Sequence, residues 1–128
     1  MTAALLTALA IALVPIPAPP AQRLLVQATT AFDGTWSGTG TLTGRRGRGT
    51  ACSAEDTNRR FTIQNGQISF PYDTRHGISF SGPIQADGSF DLVNGQNRFQ
   101  GRATGSELTA TFTGAECIRS FQMRRRRN

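Results

Sequence analysis

Between residues 34 and 124 the chain is a succession of short segments in which apolar and polar residues alternate. Each is closed by a glycine or asparagine turn, and the two cysteines lie near the two ends of the succession. Alternation at period two marks a strand with one buried face, because successive side chains of an extended chain point to opposite sides. Strands joined by such short connections pair antiparallel with their neighbours. The predicted architecture is all-β: a small eight-stranded antiparallel up-and-down barrel tied by one disulfide.

The first segment, 35–43, sets Trp36, Gly38, Gly40 and Leu42 on one face and Thr35, Ser37, Thr39, Thr41 and Thr43 on the other. A polar connection, 44–58, carries Arg45, Arg46, Arg48 and Cys52 into segment 60–64, with Phe61 and Ile63 inward. Asn65-Gly66, suited to the two left-handed positions of a hairpin turn, leads into 67–72, with Ile68, Phe70 and Tyr72 inward. Segment 77–84 buries Ile78, Phe80, Gly82 and Ile84. Pro83, which cannot donate to a ladder, marks a bulge or a strand end there. Segments 89–93, 98–104, 107–113 and 117–124 follow, with turns at Asp87-Gly88, Asn94-Gly95, Gly105-Ser106 and 114–116. In the last of them Cys117, Arg119, Phe121 and Met123 share the inward face.

Eight strands is the number at which a meander closes into a barrel that is either filled by side chains or holds one small ligand. In a closed meander the connection between strands one and two lies at the same end as the connection between strands seven and eight. That places Cys52 beside Cys117. A bond across the 65 residues that separate them is worth about 4 kcal/mol in the chain-entropy model. With a single histidine and no CxxC pair, a Cys/His zinc site cannot be assembled. No cofactor is implied.

Residues 3–14 form an apolar run too short to cross a bilayer and of the right length for the core of a secretory signal. The prolines at 15, 17, 19 and 20 precede two candidate cleavage points, after Ala21 and after Ala28. The expected organisation is a signal peptide over 1–28, a barrel over 29–124 and a basic tail over 125–128. The expected location is the periplasm or the exterior, where a disulfide persists.

All fourteen basic residues are arginine, and the net charge is +6. Seven of them, Arg45, Arg46, Arg48 and Arg124 to Arg127, sit in one loop and one tail, and the rest of the chain is close to neutral. The tail suits an anionic surface or simple solvation. Nucleic acid wants aromatic rings exposed beside the arginines, whereas the phenylalanines here point inward. A membrane-spanning barrel wants an apolar outer face, and the outward positions are mostly Thr, Ser, Gln, Asn and Arg.

Gly34-Thr35-Trp36 heading the first strand, with an arginine on the last, resembles the signature of the calycin group, the lipocalin-like and avidin-like barrels. The resemblance implies that Trp36 closes the barrel floor and that Arg119 or Arg124 packs over it. The chain is also similar to small exported proteobacterial β-barrel proteins that begin Phe-Asp-Gly-Thr-Trp, as residues 32–36 do here, and end in a cysteine-containing strand with basic residues. That likeness implies a periplasmic barrel with no activity attached.

No catalytic constellation is legible. His76, the one imidazole, falls in a polar turn beside Asp73 and Arg75, and no pair of carboxylates stands out. An inward Arg119 has to find carbonyls, a carboxylate or a ligand anion, since it keeps its charge. It reads either as a floor contact on Trp36 or, with Trp36, as the grip on a ligand carboxylate. The inward glycines at 38, 40, 82 and 101 either allow the barrel to coil or leave a cavity, and coiling is the favoured reading. Phe32 stands ready to plug the floor. The expected function is that of an exported, non-enzymatic binding module. The alternative is a small periplasmic inhibitor or protein-interaction module working through the Cys52 loop, with Arg45, Arg46 and Arg48 as its contacts.

Overall fold

The computed structural model describes residues 3–4, 10–12, 29–47 and 52–126. The candidate cleavage points of the expected signal peptide, Arg48 and Arg127 lie outside the described residues. Eight strands follow one another: β1 (Gly34–Arg45), β2 (Thr57–Gln64), β3 (Gln67–Asp73), β4 (Ile78–Pro83), β5 (Ser89–Asn94), β6 (Asn97–Thr104), β7 (Glu107–Thr113) and β8 (Cys117–Arg125). A single 3₁₀ turn, Thr74–His76, joins β3 to β4. All pairings are antiparallel and form one sheet in the order β4-β3-β2-β1-β8-β7-β6-β5. Among the described residues no helix is long and apolar enough to cross a membrane.

The first and last strands pair, as the closed meander requires, from Trp36 opposite Arg125 to Arg45 opposite Cys117. The Cys52–Cys117 disulfide forms beside that pairing, with Cα atoms 5.6 Å apart. The barrel is nearly closed, and the one interruption lies between β4 and β5. These are its shortest strands, six residues each, and β4 ends in Pro83, which has no amide proton to offer a ladder. The seam is held instead by isolated bonds, from Gln85 N to Ser89 O at 2.8 Å and from the Asn94 side-chain amide to Ser79 O at 2.6 Å. Leu92 of β5 packs across it into the space over Gly82 of β4, where a Cβ would come within 2.6 Å of the leucine methyl.

The two-residue turn Asn65-Gly66 has positive φ at both positions, 53° and 72°. The turn expected at Asn94-Gly95 is instead centred on Gly95 and Gln96, with Asn94 opposite Asn97. Gly95 takes the left-handed position at φ 60°, and the faces of β5 and β6 come out as expected because Phe90, Leu92, Phe99 and Ala103 are all buried. Two strand limits differ in ways that matter. β2 begins at Thr57 rather than 60, so the alternation that buries Phe61 also turns Thr57 and Arg59 inward. β8 runs through Arg125, so the first residue assigned to the tail belongs to the barrel.

The interior is aromatic. Seven phenylalanines, Tyr72 and Trp36 are buried inside it, and the eighth phenylalanine, Phe32, packs half-buried against them. Phe99 is the hub, with its ring against those of Phe61, Phe70, Tyr72, Phe80, Phe90 and Phe121 in mixed stacked and edge-on geometry. The inward glycines leave no room in this core. A Cβ on Gly38 would strike the Gln122 carbonyl, one on Gly40 the Phe121 ring, and one on Gly101 the Thr109 carbonyl. They serve the coiling that lets so small a barrel wrap around so many rings.

Candidate functional site

The β2–β3 ladder pairs only Thr62 with Ser69, Ile63 with Ile68 and Gln64 with Gln67. Beyond it β2 continues along β1 as far as Thr57, while β3 continues along β4 past Pro71 and a bulge to Asp73. The two strands separate, and a cavity of ≈ 820 Å³ opens between them at the disulfide end of the barrel. Its walls include Thr57 and Arg59 of β2, Tyr72 of β3, Ile78 of β4, Phe112 of β7 and Arg119 of β8. Arg75, His76, Asp73 and Glu116 also border it.

Arg119 is buried to 6% exposure, as an inward position on β8 demands. It donates through Nη1 to Glu55 O at 3.0 Å and through Nη2 to Ser53 O at 2.6 Å, so it holds down the chain just after Cys52. No described carboxylate pairs with it. Arg59 lies over the Tyr72 ring, 4.8 Å from its centroid, and its Nη1 donates to Asn58 O at 3.0 Å. Its Nε and the Thr57 hydroxyl oxygen are buried with no hydrogen-bond partner among the described residues. Tyr72 stacks on Phe112 with ring centroids 4.1 Å apart. Burial pushes its phenol up to about 12, although Arg59 and Arg119 both pull the other way, so it is a neutral donor at ordinary pH.

Arg119 and Trp36, read together from the sequence, stand at opposite ends of the barrel. Arg119 pairs with Leu42 of β1, six residues from Trp36, which is about 20 Å of strand. The arginine over the tryptophan is neither Arg119 nor Arg124 but Arg125, 5.0 Å from the ring centroid. It also donates to Ala31 O, Asp33 O and Gly105 O. Trp36 itself is fully buried, donates Nε1 to Phe32 O at 2.9 Å, and lines no part of the cavity. Asp33 completes the floor by accepting from Asn65 N and Gly66 N at 2.8 and 3.0 Å.

Arg45 and Arg46 are exposed but anchored. Arg45 donates to Cys52 O at 3.1 Å, and Arg46 donates from its backbone to Glu116 O at 2.7 Å and from its side chain to Gly114 O at 3.3 Å. They knit the β1–β2 connection to the β7–β8 connection across the disulfide. At the far end Arg124 points outward 3.4 Å from Glu107, and Arg126 N donates to Thr35 O.

Asp73 and His76 meet at the cavity rim, Oδ2 to Nδ1 at 2.8 Å. Burial would raise the Asp73 carboxyl, but hydrogen bonds from His76 and Arg75 and the charge of His76 outweigh it and hold the group below its ordinary range. The imidazole is 68% exposed, and among the described residues no hydroxyl or thiol bonds to it.

Thr57 and Arg59 are the residues that sequence reasoning did not assign to a site, and Arg125, assigned to the basic tail, belongs to the floor. Carrying the alternation of Phe61 and Ile63 two steps back would have turned Arg59 and Thr57 inward. Carrying the alternation of Phe121 and Met123 one step on would have set Arg125 apart from Arg124 as an inward position, but the residue it faces across the sheet is set by pairing register. Compared with known proteins, the chain matches no family model, no curated protein and no solved structure.

Proposed function

We propose that this chain is an exported, non-enzymatic binding module that takes a small ligand at the mouth of the barrel, beneath the Cys52 loop. One observation carries the reading. The barrel interior is filled with aromatic rings, while the disulfide end opens into a cavity of ≈ 820 Å³ whose wall holds two inward arginines without a described carboxylate. That volume lies within the range of small-molecule sites, about 300–1,000 Å³. Export is favoured by the apolar run at 3–14 and by a disulfide that an oxidising compartment maintains. The Arg125–Trp36 contact is of the kind the calycin-like reading expects.

A second reading is favoured by the Cys52 loop itself. Ser53 to Asp56 are exposed, yet their backbone is held by Arg119, Arg45 and the disulfide. A loop ordered in advance loses little freedom on docking to a protein, as an inhibitor requires.

Native mass spectrometry of the protein purified from its own host tests both. A leaderless, oxidised chain carrying a reproducible small mass supports the binding module. A leaderless chain that carries a protein partner instead, lost on substituting Glu55 and Asp56 with alanine, supports the loop reading. An uncleaved, reduced chain overturns export.

A further inference from the structure

We propose that the mouth cavity is built for an organic monoanion, a single carboxylate carried on a flat, apolar group. This rests on the binding-module reading and names the ligand class for that site.

The anion half follows from unsatisfied donors. Thr57 and Arg59 are successive inward positions on β2, and the Thr57 hydroxyl and Arg59 Nε are both buried without a partner. Leaving such groups unpaired is costly, more so for a charged donor, and a carboxylate seated against this wall brings acceptors that the described residues do not supply. Arg119, facing the same cavity from β8, adds a second guanidinium whose described acceptors are neutral carbonyls. A buried arginine cannot discharge itself by losing its proton, so the site keeps positive charge at every physiological pH.

The flat apolar half follows from the remaining wall. Tyr72 stacked on Phe112, with Ile78 and Pro71 nearby, offers planar and aliphatic surface. The aromatic core beneath leaves no channel for a long chain to descend into the barrel. The single charge follows from the rim. Asp73 and Glu116 border the opening, and the Asp73 carboxyl is held ionised by His76 and Arg75. A second negative charge on the ligand would face them.

The test is calorimetric titration of the oxidised full-length protein with three naphthalene probes: 2-naphthoate, the uncharged 2-naphthylmethanol, and the dianion 2,6-naphthalenedicarboxylate. The naphthoate is expected to bind at least about tenfold more tightly than either of the others. Arg59→Gln is expected to weaken naphthoate about tenfold. Because Arg119 also holds the Cys52 loop, its loss could disturb the fold, so Thr57→Val is the second variant. Its hydroxyl has no partner among the described residues, and it is expected to weaken naphthoate about threefold to tenfold while the thermal midpoint stays or rises. Equal binding of the acid and the alcohol, or naphthoate affinity unchanged in both variants, would overturn the anion assignment and leave the binding module standing. Binding of no probe would overturn the ligand class, and the host-purified protein's bound mass then decides the broader reading separately. Tightest binding of the dianion would overturn the single-charge argument.

Discussion

Arg125, the last residue of β8, lies over the ring of Trp36, near the start of β1, and hydrogen-bonds three backbone carbonyls around it. One side chain thereby joins the N-terminal segment, the first strand, the β6–β7 turn and the last strand. The run Phe32 to Trp36 is a floor: Phe32 packs on the core and accepts from Trp36, and Asp33 caps the β2–β3 turn. At Gly34, with φ 141°, the Arg125 stem lies 3.1 Å from where a Cβ would sit.

Replacing Arg125 with alanine should cost about 2 kcal/mol, from charge-assisted bonds to carbonyls and a cation–π contact. Arg125→Lys should recover little of it, because an ammonium cannot fork across three carbonyls. Denaturant unfolding measures the loss, and a red shift in the emission of the chain's single tryptophan would report the opened floor. Arg124→Ala, by contrast, should be nearly silent, since its partner Glu107 is exposed.

The double variant Cys52→Ala, Cys117→Ala should lose about 2–5 kcal/mol. The Arg119 acceptors on Ser53 and Glu55 belong to the segment that Cys52 anchors. Amide exchange at 53–56 should therefore accelerate more than exchange in β6 or β7.

Gly38→Ala and Gly101→Ala should each destabilise by about 3 kcal/mol, because the new methyl meets a backbone carbonyl of the neighbouring strand rather than a side chain that can turn away. Gly95→Ala is the control. It strains φ 60° at an open turn and should cost about 1 kcal/mol. Equal losses at all three positions would contradict the close-approach account.

Tyr72 is the chain's only tyrosine, so its ionisation can be followed by ultraviolet absorbance alone. Burial raises the folded value to about 12 from an ordinary 10.0. The folded state then holds a proton that the unfolded state has released. This contribution to stability is complete below pH 10 and is lost as the pH climbs toward 12. Arg59→Gln removes a charge that favours the phenolate and should move the titration higher still.

The exposed aspartates set the acid side. Ser89 holds Asp87 below its ordinary value of 3.8 through side-chain and backbone hydrogen bonds, and Arg98 does the same for Asp91. A folded value below the unfolded one gives stability that is present above about pH 4 and lost as the pH falls through the folded value. The drop in thermal midpoint between pH 5 and pH 2 should be smaller in an Asp87→Asn, Asp91→Asn double variant.

Period-two alternation determined the strands, their inward faces and the eight-strand count, because a pleated backbone that buries one face must alternate its side chains. The positions of Cys52 and Cys117 determined that the first and last strands meet, because a disulfide tolerates only a short Cα separation. Three things waited on the tertiary structure. The seam fell between β4 and β5 because two short strands, one ending in proline, could not complete a ladder. The floor contact went to Arg125 because pairing register, which no local pattern states, set it opposite Trp36. The cavity with Arg59 and Thr57 in its wall exists because β2 keeps its partner β1 for five residues after β3 has left it for β4. Each is a matter of which distant strand a residue faces, and that is decided only when the sheet assembles.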